Sequence, residues 1–282
     1  MTTKKMIMAG LVACCCIAAK AQDAKNEEPK GKAIVQVFGN FHTGFGADND
    51  DRGFDLDRSY LGYQYNLGKG LSVKGVMDIG KSSDVGDYQR IAYIKNAMVT
   101  WTKGRLTLNG GLISTTQFNM QEKHWGYRYI YKSFQDNYKF GSSADLGLSA
   151  SYKLAPWISA DAIVVNGEGY KKVQKNDGLL YGLGAEYNII QDTGNKEDAD
   201  QYGLSVYGSL KAAKNIDIFA RYDNLSSKDD WNEATDEQAV VAGLQLKLGK
   251  YVKLAPNFRM AIPKADGKDN KYSAYVSCYF GL

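Results

Sequence analysis

Proline is scarce, with four residues in a chain of 282, and histidine is scarcer, with only His42 and His124. Three of the four cysteines, Cys14, Cys15 and Cys16, crowd near the N-terminus, so no disulfide framework can be built from the rest. Past residue 21, no apolar run approaches the roughly eighteen residues that a membrane-spanning helix needs. These shortages argue against a helical membrane protein, a disulfide-stapled fold and a zinc module of Cys and His. Patterns with helical spacing are rare as well.

The N-terminus is built for export. Lys4 and Lys5 precede an apolar run from Met6 to Ala19, and Ala19-Lys20-Ala21 is a small-x-small cleavage site. Residues 1–21 therefore read as a signal peptide removed before Gln22. Leu11-Val12-Ala13-Cys14 is a rival lipoprotein box, but the downstream site is the better formed. Cleavage leaves thirty-two basic residues against thirty-one acidic ones, so net charge points to no nucleic-acid partner. Residues 22–32 form a polar leader.

What the chain has in abundance is period-two alternation, from about residue 33 to the end. Tyr272, Ala274, Val276, Cys278, Phe280 and Leu282 make an apolar face, with Ser273, Tyr275, Ser277, Tyr279 and Gly281 between them. Strand side chains alternate between faces, so each such stretch has one apolar and one polar side. The same holds for Val35, Val37, Phe41 and Phe45, and for Ile216, Ile218, Ala220 and Tyr222. An exported chain of such strands fits an all-β, transmembrane, antiparallel up-and-down barrel with lipid outside and water inside. Cys278 is then a small hydrophobe on the lipid face.

Connections alternate in length, as such barrels require. Short turns fall at 68–70, 103–104, 155–156 and 249–250, and long polar segments at 46–53, 80–88, 114–141, 167–178, 226–237 and 263–271. Tyr63, Tyr65, Trp101, Tyr152 and Trp157 sit beside short turns, as an interfacial girdle would. Thirteen strands can be counted where an even number is expected, so the expectation is twelve to fourteen, with the fault between Gly182 and Leu225. Lys153-Leu154-Ala155-Pro156 and Lys253-Leu254-Ala255-Pro256 read as turn entries, which places the strand after Pro256 from Asn257. Lys95 falls on the lipid-facing parity, so it either snorkels or marks a bulge.

The segment 114–141 stands out. It carries Trp125, Tyr127, Tyr129, Tyr131, Phe134 and Tyr138 with Lys123, Arg128 and Lys132. So aromatic a loop is expected to pack, either as a constriction whose cations steer anions or as an outer cap. With Arg58, Lys74, Arg221 and Arg259 on inward-facing positions, its Lys123, Arg128, Tyr129 and Lys132 are the candidate constriction residues. Inward cations are nearly balanced by Asp78, Asp145, Asp161, Glu186, Asp217 and Asp223.

Other signals are weak. Asp48, Asp50, Asp51 and Gly53 begin like a calcium loop, but Arg52 and Ser59 occupy ligand places. Gly182-Leu183-Gly184 lacks the third glycine of a dinucleotide fingerprint. No cofactor or metal site is expected and no catalytic residue is assigned. His42 with a serine is the one remnant of a hydrolase reading.

Several segments resemble a known family. Phe54-Asp55-Leu56-Asp57-Arg58-Ser59-Tyr60-Leu61-Gly62-Tyr63 resembles the Arg-containing second strand of porins of the phosphate-selective O/P type and their relatives. Gly111-Leu112-Ile113-Ser114-Thr115-Thr116-Gln117-Phe118 is similar to the strand entering their constriction loop. Ser143-Ala144-Asp145-Leu146-Gly147, Asn166-Gly167 and Phe219-Ala220-Arg221-Tyr222-Asp223 resemble later strands. The resemblance implies a non-enzymatic porin of a Gram-negative outer membrane, exported through the periplasm and admitting small hydrophilic solutes or ions. Its expected partners are outer-membrane lipid, those solutes, and a barrel-assembly machinery engaging the C-terminal strand. The chain is short for that family's sixteen strands and shows no inward lysine cluster, so phosphate selectivity is not carried over, and homo-oligomerisation stays open. A non-conducting structural or adhesin-like barrel is the main alternative, a barrel hydrolase the lesser one. Mass spectrometry of the exported protein is expected to show a chain starting at Gln22; a lipid-modified chain starting at Cys14 would favour the lipobox.

Overall fold

A computed structural model describes residues 29–46, 49–81, 90–155, 158–172, 180–185, 187–190, 201–228 and 232–282. The signal segment, Pro156, Trp157 and Glu186 lie outside the described residues.

Among the described residues fourteen strands follow one another: β1 (Lys30–Phe45), β2 (Arg52–Gly68), β3 (Leu71–Lys81), β4 (Arg90–Lys103), β5 (Leu106–Ser114), β6 (Ala144–Ala155) and β7 (Ile158–Val165). The second half holds β8 (Leu180–Ala185), β9 (Tyr187–Ile190), β10 (Gln201–Ala213), β11 (Ile216–Ser227), β12 (Glu237–Leu248), β13 (Val252–Pro263) and β14 (Lys271–Gly281). All belong to one antiparallel sheet, in the order β10 to β14, then β1 to β9. The last strand joins the first, from Gln36↔Gly281 to Phe45↔Tyr272. This is the up-and-down barrel that the alternation predicts. The polar leader is shorter than its pattern suggests, because pairing already begins at Lys30↔Asn66.

The alternation sorts side chains as the barrel reading requires. On β11, burial alternates residue by residue, with Asp217, Phe219, Arg221 and Asp223 buried and Ile218 and Tyr222 exposed. Leu148, Leu204, Val206 and Leu210 are also exposed, although they are among the most apolar residues of their strands. In water such a surface would be an association hazard; in a bilayer it is the side that belongs outside. Tyr63 and Tyr152 stand exposed near the short turns as expected. A second aromatic belt lies toward the long loops. There Phe41 meets Phe54 at 4.9 Å, and Phe45 meets Phe258 at 6.0 Å and Tyr272 at 6.3 Å.

Three details differ from the sequence pattern. The stretch around Gly182 and Tyr187 is two short strands, β8 and β9, paired from Gly182↔Ile190 to Ala185↔Tyr187. This makes the count even among the described residues and leaves 214–215 as a short connection, while 191–200 lies outside the described residues. Pro256 lies inside β13, opposite Val276, and does not precede the strand. The wall accommodates its missing N–H by a gap in the β12–β13 register, which passes from Gly243↔Asn257 to Leu246↔Leu254. Lys95 is a bulge: Val76 pairs with Asn96 and Met77 with Ile94, and Lys95 is left over. Lys95 and Asn96 both turn inward and are buried. Tyr93, which an unbroken alternation would put on the face of Ala97 and Val99, therefore faces in, while Ile94 faces out and is exposed.

An arginine in the lipid-facing middle of a strand should be costly. Leu148→Arg is expected to destabilise the barrel by roughly 2–4 kcal/mol in urea titrations in lipid vesicles; an unchanged midpoint would contradict the outward assignment of that face.

Candidate pore and its internal loop

The connection between β5 and β6 holds the site. Its neck is tied where Thr115 N–H donates to the Ser143 carbonyl at 3.2 Å and the Thr115 hydroxyl to the Ser142 carbonyl at 2.7 Å. Helix α1 (Thr116–Trp125) follows and ends at Gly126, whose φ of 71° is the left-handed cap that glycine favours. A single turn, α2 (Phe134–Asn137), comes later.

The loop crosses to the far wall. Trp125 is buried against Tyr207 of β10 (5.3 Å) and Phe219 of β11 (6.3 Å), and Tyr127 stacks on Phe219 at 4.8 Å. Tyr129 lies between Phe38 of β1 and Tyr279 of β14, at 6.4 and 5.6 Å. Phe134 approaches β10 where Gly203 leaves room for it; a Cβ there would collide with the ring. β12 stands seven places from β5 in the fourteen-stranded order, so the loop reaches halfway round the sheet. It runs inside the barrel against that wall and does not cap it from outside.

Polar contacts fix the crossing. Arg221 makes a two-pronged pair with Asp223 at 2.8 and 2.6 Å and donates its remaining arm to the Lys132 carbonyl at 2.7 Å. Arg259 donates to the Ile130 carbonyl at 2.6 Å and lies 3.5 Å over the Tyr275 ring. The Tyr129 hydroxyl donates to Gln245 at 3.0 Å, and Gln245 donates to Asp217 at 2.7 Å. Burial of the Tyr131 ring pushes its hydroxyl pKa up to about 12. Among the candidate residues, then, Arg221 and Arg259 face inward from the wall and Tyr129 faces the wall from the loop, and together they hold the loop in place.

The other candidates gather against β2, β3 and β4. Arg58 pairs with Asp78 at 3.3 Å and donates to the Tyr60 hydroxyl at 3.1 Å, which also accepts from Lys95 at 3.2 Å. Arg128 is held by Glu122 at 3.2 Å and Asp136 at 2.8 Å. Burial opposes the Arg128 charge, but Tyr60, Asp136 and Glu122 keep its pKa above the ordinary value. Lys132, by contrast, is exposed. Desolvation lowers its pKa, Asp136 opposes the shift, and Arg58, Arg128 and Lys171 add to it. Lys171 lies 5.0 Å over Tyr93, on a turn drawn inward where Asp145 accepts the Gly167 and Gly169 N–H groups at 2.8 and 3.1 Å. Lys74 faces inward below this group, and Lys123 is exposed on α1. Sequence reading missed Lys95 and Lys171: the bulge hides the first, and the fold of a long loop hides the second. His42 contacts Asn40 at 2.9 Å and the Asp51 carboxylate at 3.2 Å.

No family model matches this sequence, and no curated protein matches it. Among solved structures, a loop-deletion form of the outer membrane protein OmpT of Vibrio cholerae is 13% identical with a TM-score of 0.60, over 91% of this chain and 100% of that one. OprB of Pseudomonas putida is 11% identical with a TM-score of 0.59, over 89% of this chain and 94% of that one. A mutant Rh. blastica porin is 11% identical with a TM-score of 0.53, over 90% of this chain and all of that one.

Arg221→Ala would strand the Asp223 carboxylate and release the Lys132 carbonyl. It is expected to cost roughly 3–5 kcal/mol and to open the loop to protease, and Arg221→Ala with Asp223→Ala should recover part of the loss. Unfolding curves and limited proteolysis would show it. What the chain shares with these proteins is the fold of an outer-membrane porin-like β-barrel.

Proposed function

We propose that the protein is an outer-membrane channel that passively admits small hydrophilic solutes or ions, narrowed from within by the loop after β5. The observation that carries this reading is the asymmetry of the interior. Rings and arginine contacts bind the loop to β10–β14 and β1, and the cationic, polar side is left along β2, β3 and β4. A polar lumen beside a fixed constriction sieves by size and field and needs no binding pocket of high affinity. Arg58, Lys95, Lys132 and Lys171 favour anions there, because Asp78 and Asp136 compensate them only partly. The short motifs shared with phosphate-selective porins support the channel role. They do not carry phosphate selectivity with them.

The density of the aromatic cluster supports a second reading, a structural barrel closed by its own loop. Single-channel recording on the refolded mature chain separates the two. Stepwise conductance with a reversal potential of anionic sign is expected, and Lys132→Glu should move that potential toward cations. Silence from verified folded protein would favour the closed barrel.

A further inference from the structure

The long-loop end of the barrel holds a cavity of about 260 Å³ where β1, β13 and β14 run side by side. Tyr131 lines it on the side of the internal loop, and His42, Asp51, Arg259, Lys271 and Ser273 line its other walls. The bend that carries Asp51 is fastened in place. Gly44 N–H donates to the Asp51 carbonyl at 2.6 Å. The Asn49 amide donates to the Tyr272 carbonyl at 2.6 Å and to the Ser273 hydroxyl at 3.2 Å.

The hydrogen bonds around His42 leave two acceptors facing each other. Asn40 donates its amide nitrogen to the Asp57 carboxylate at 2.7 Å, so its carbonyl oxygen is what faces His42 Nδ1 at 2.9 Å. Nδ1 therefore carries the ring proton. In the neutral ring Nε2 is then an acceptor, yet it lies 3.2 Å from an Asp51 carboxylate oxygen, which also only accepts. Two acceptors so close call for a donor that both can share. Across the Tyr275 ring the need is reversed. Tyr275 stacks on His42 of β1 at 5.3 Å, and Arg259 of β13 lies 3.5 Å over the same ring. Arg259 uses Nε on Asn257, and Nη2 on the Ile130 carbonyl and the Ser277 hydroxyl. Among the described residues its Nη1 has no hydrogen-bond partner, and neither Arg259 nor Lys271 has a carboxylate paired with it.

We propose that this cavity binds small zwitterions of the amino-acid class. The solute's ammonium is shared by His42 Nε2 and Asp51, and its carboxylate is taken by Arg259 Nη1 and Lys271. β1 and β13 flank β14, so His42 and Arg259 stand two strand spacings apart, about 9–10 Å. A hydrogen bond of about 3 Å at each end leaves roughly 3–4 Å between the solute's two charged groups, the span of an amino acid. The rest of the volume is room for its side chain. A simple anion leaves Asp51 unrelieved, and a simple cation meets Arg259 and Lys271, so a solute with both charges fits better than either. The site also carries a sign of pH dependence. When His42 takes a second proton, Nε2 donates to Asp51 directly and the ammonium loses both acceptors. The groups that face His42 are Asn40 on its own strand, Asp51 from the bend and Tyr275 from β14, with Asp57 behind Asn40 and Arg259 behind Tyr275. The site rests on the channel reading only for the solute's onward passage, and its binding is read without conductance.

The test uses the folded mature chain in detergent with L-alanine as the probe, and with propionate and ethylammonium as solutes that lack one charge each. Calorimetric titration at about pH 8 should show alanine binding roughly tenfold tighter than either single ion, since each control forfeits a charged hydrogen bond. Asp51→Asn should lower alanine affinity by a similar factor, and Asp51 is exposed enough for the variant to fold. Lowering the pH to about 5 should weaken binding in the parent chain, and His42→Gln should flatten that dependence. If His42→Gln does not fold, the Asp51→Asn chain gives the second reading, because its affinity should no longer fall with acid. Lys103→Gln, at the short-turn end, should leave binding unchanged. Absence of alanine binding, equal binding of propionate, full affinity in folded Asp51→Asn, or tighter binding in acid would overturn the site. Alanine binding by a barrel that never conducts would uphold the site and overturn the channel; conductance without alanine binding would overturn the site alone.

Discussion

The interior of this barrel is organised by the pair Arg221–Asp223. Both side chains are about 1% exposed, so the wall carries two charges with almost no water on them. Such burial is tolerated only when the geometry is close to ideal and the leftover hydrogen-bonding capacity is used. Here the two-pronged pair satisfies the carboxylate, and the third arm of the guanidinium finds the Lys132 carbonyl. Trp125 and Tyr131 cover the cation at 5.0 and 5.3 Å. The pair and the loop thus complete each other: the ion pair would be under-satisfied without the loop, and the loop would lack its tie to β11 without the pair.

From that point the interior divides. Arg259 repeats the device two residues earlier in the loop, and the aromatic rings follow the same wall toward β14 and β1. What remains toward β2, β3 and β4 is lined by groups that want water. Tyr60 stands at the boundary, packing its ring on Phe38 at 5.7 Å while its hydroxyl faces two cations. The division explains how so aromatic a loop can coexist with a polar, charged side.

Much of the fold was legible because lipid enforces alternation more strictly than a protein core does. Runs such as Val35–Phe45 and Tyr272–Leu282 declared their outer face by their apolar residues. The misreadings fell where the period breaks. At Lys95 an extra residue shifts the phase, and a parity count cannot separate a bulge from a snorkelling side chain. At Pro256 the chain rule against proline in strands was right about the hydrogen bond and wrong about the strand, because the ladder lapses on one side only. Gly182 and Gly184 gave no apolar contrast by which to divide β8 from β9. In the site, Arg221 and Arg259 could be found from parity, but their holding role depends on carbonyls of a loop whose path no local pattern encodes.

The bulge at Lys95 also acts as a phase shifter. Below and above it, β4 obeys opposite parities, so its two halves would disagree about inside and outside if one residue were lost there. A deletion at Lys95 would leave the strand the right length to pair, yet it would return the whole strand to a single parity and remove the cation from Tyr60. Insertions and deletions elsewhere in the wall invert a strand, but at this position the inversion is already built in. The chain uses it to bring a lysine and an asparagine, Lys95 and Asn96, to one height of the lumen, which strict alternation never allows.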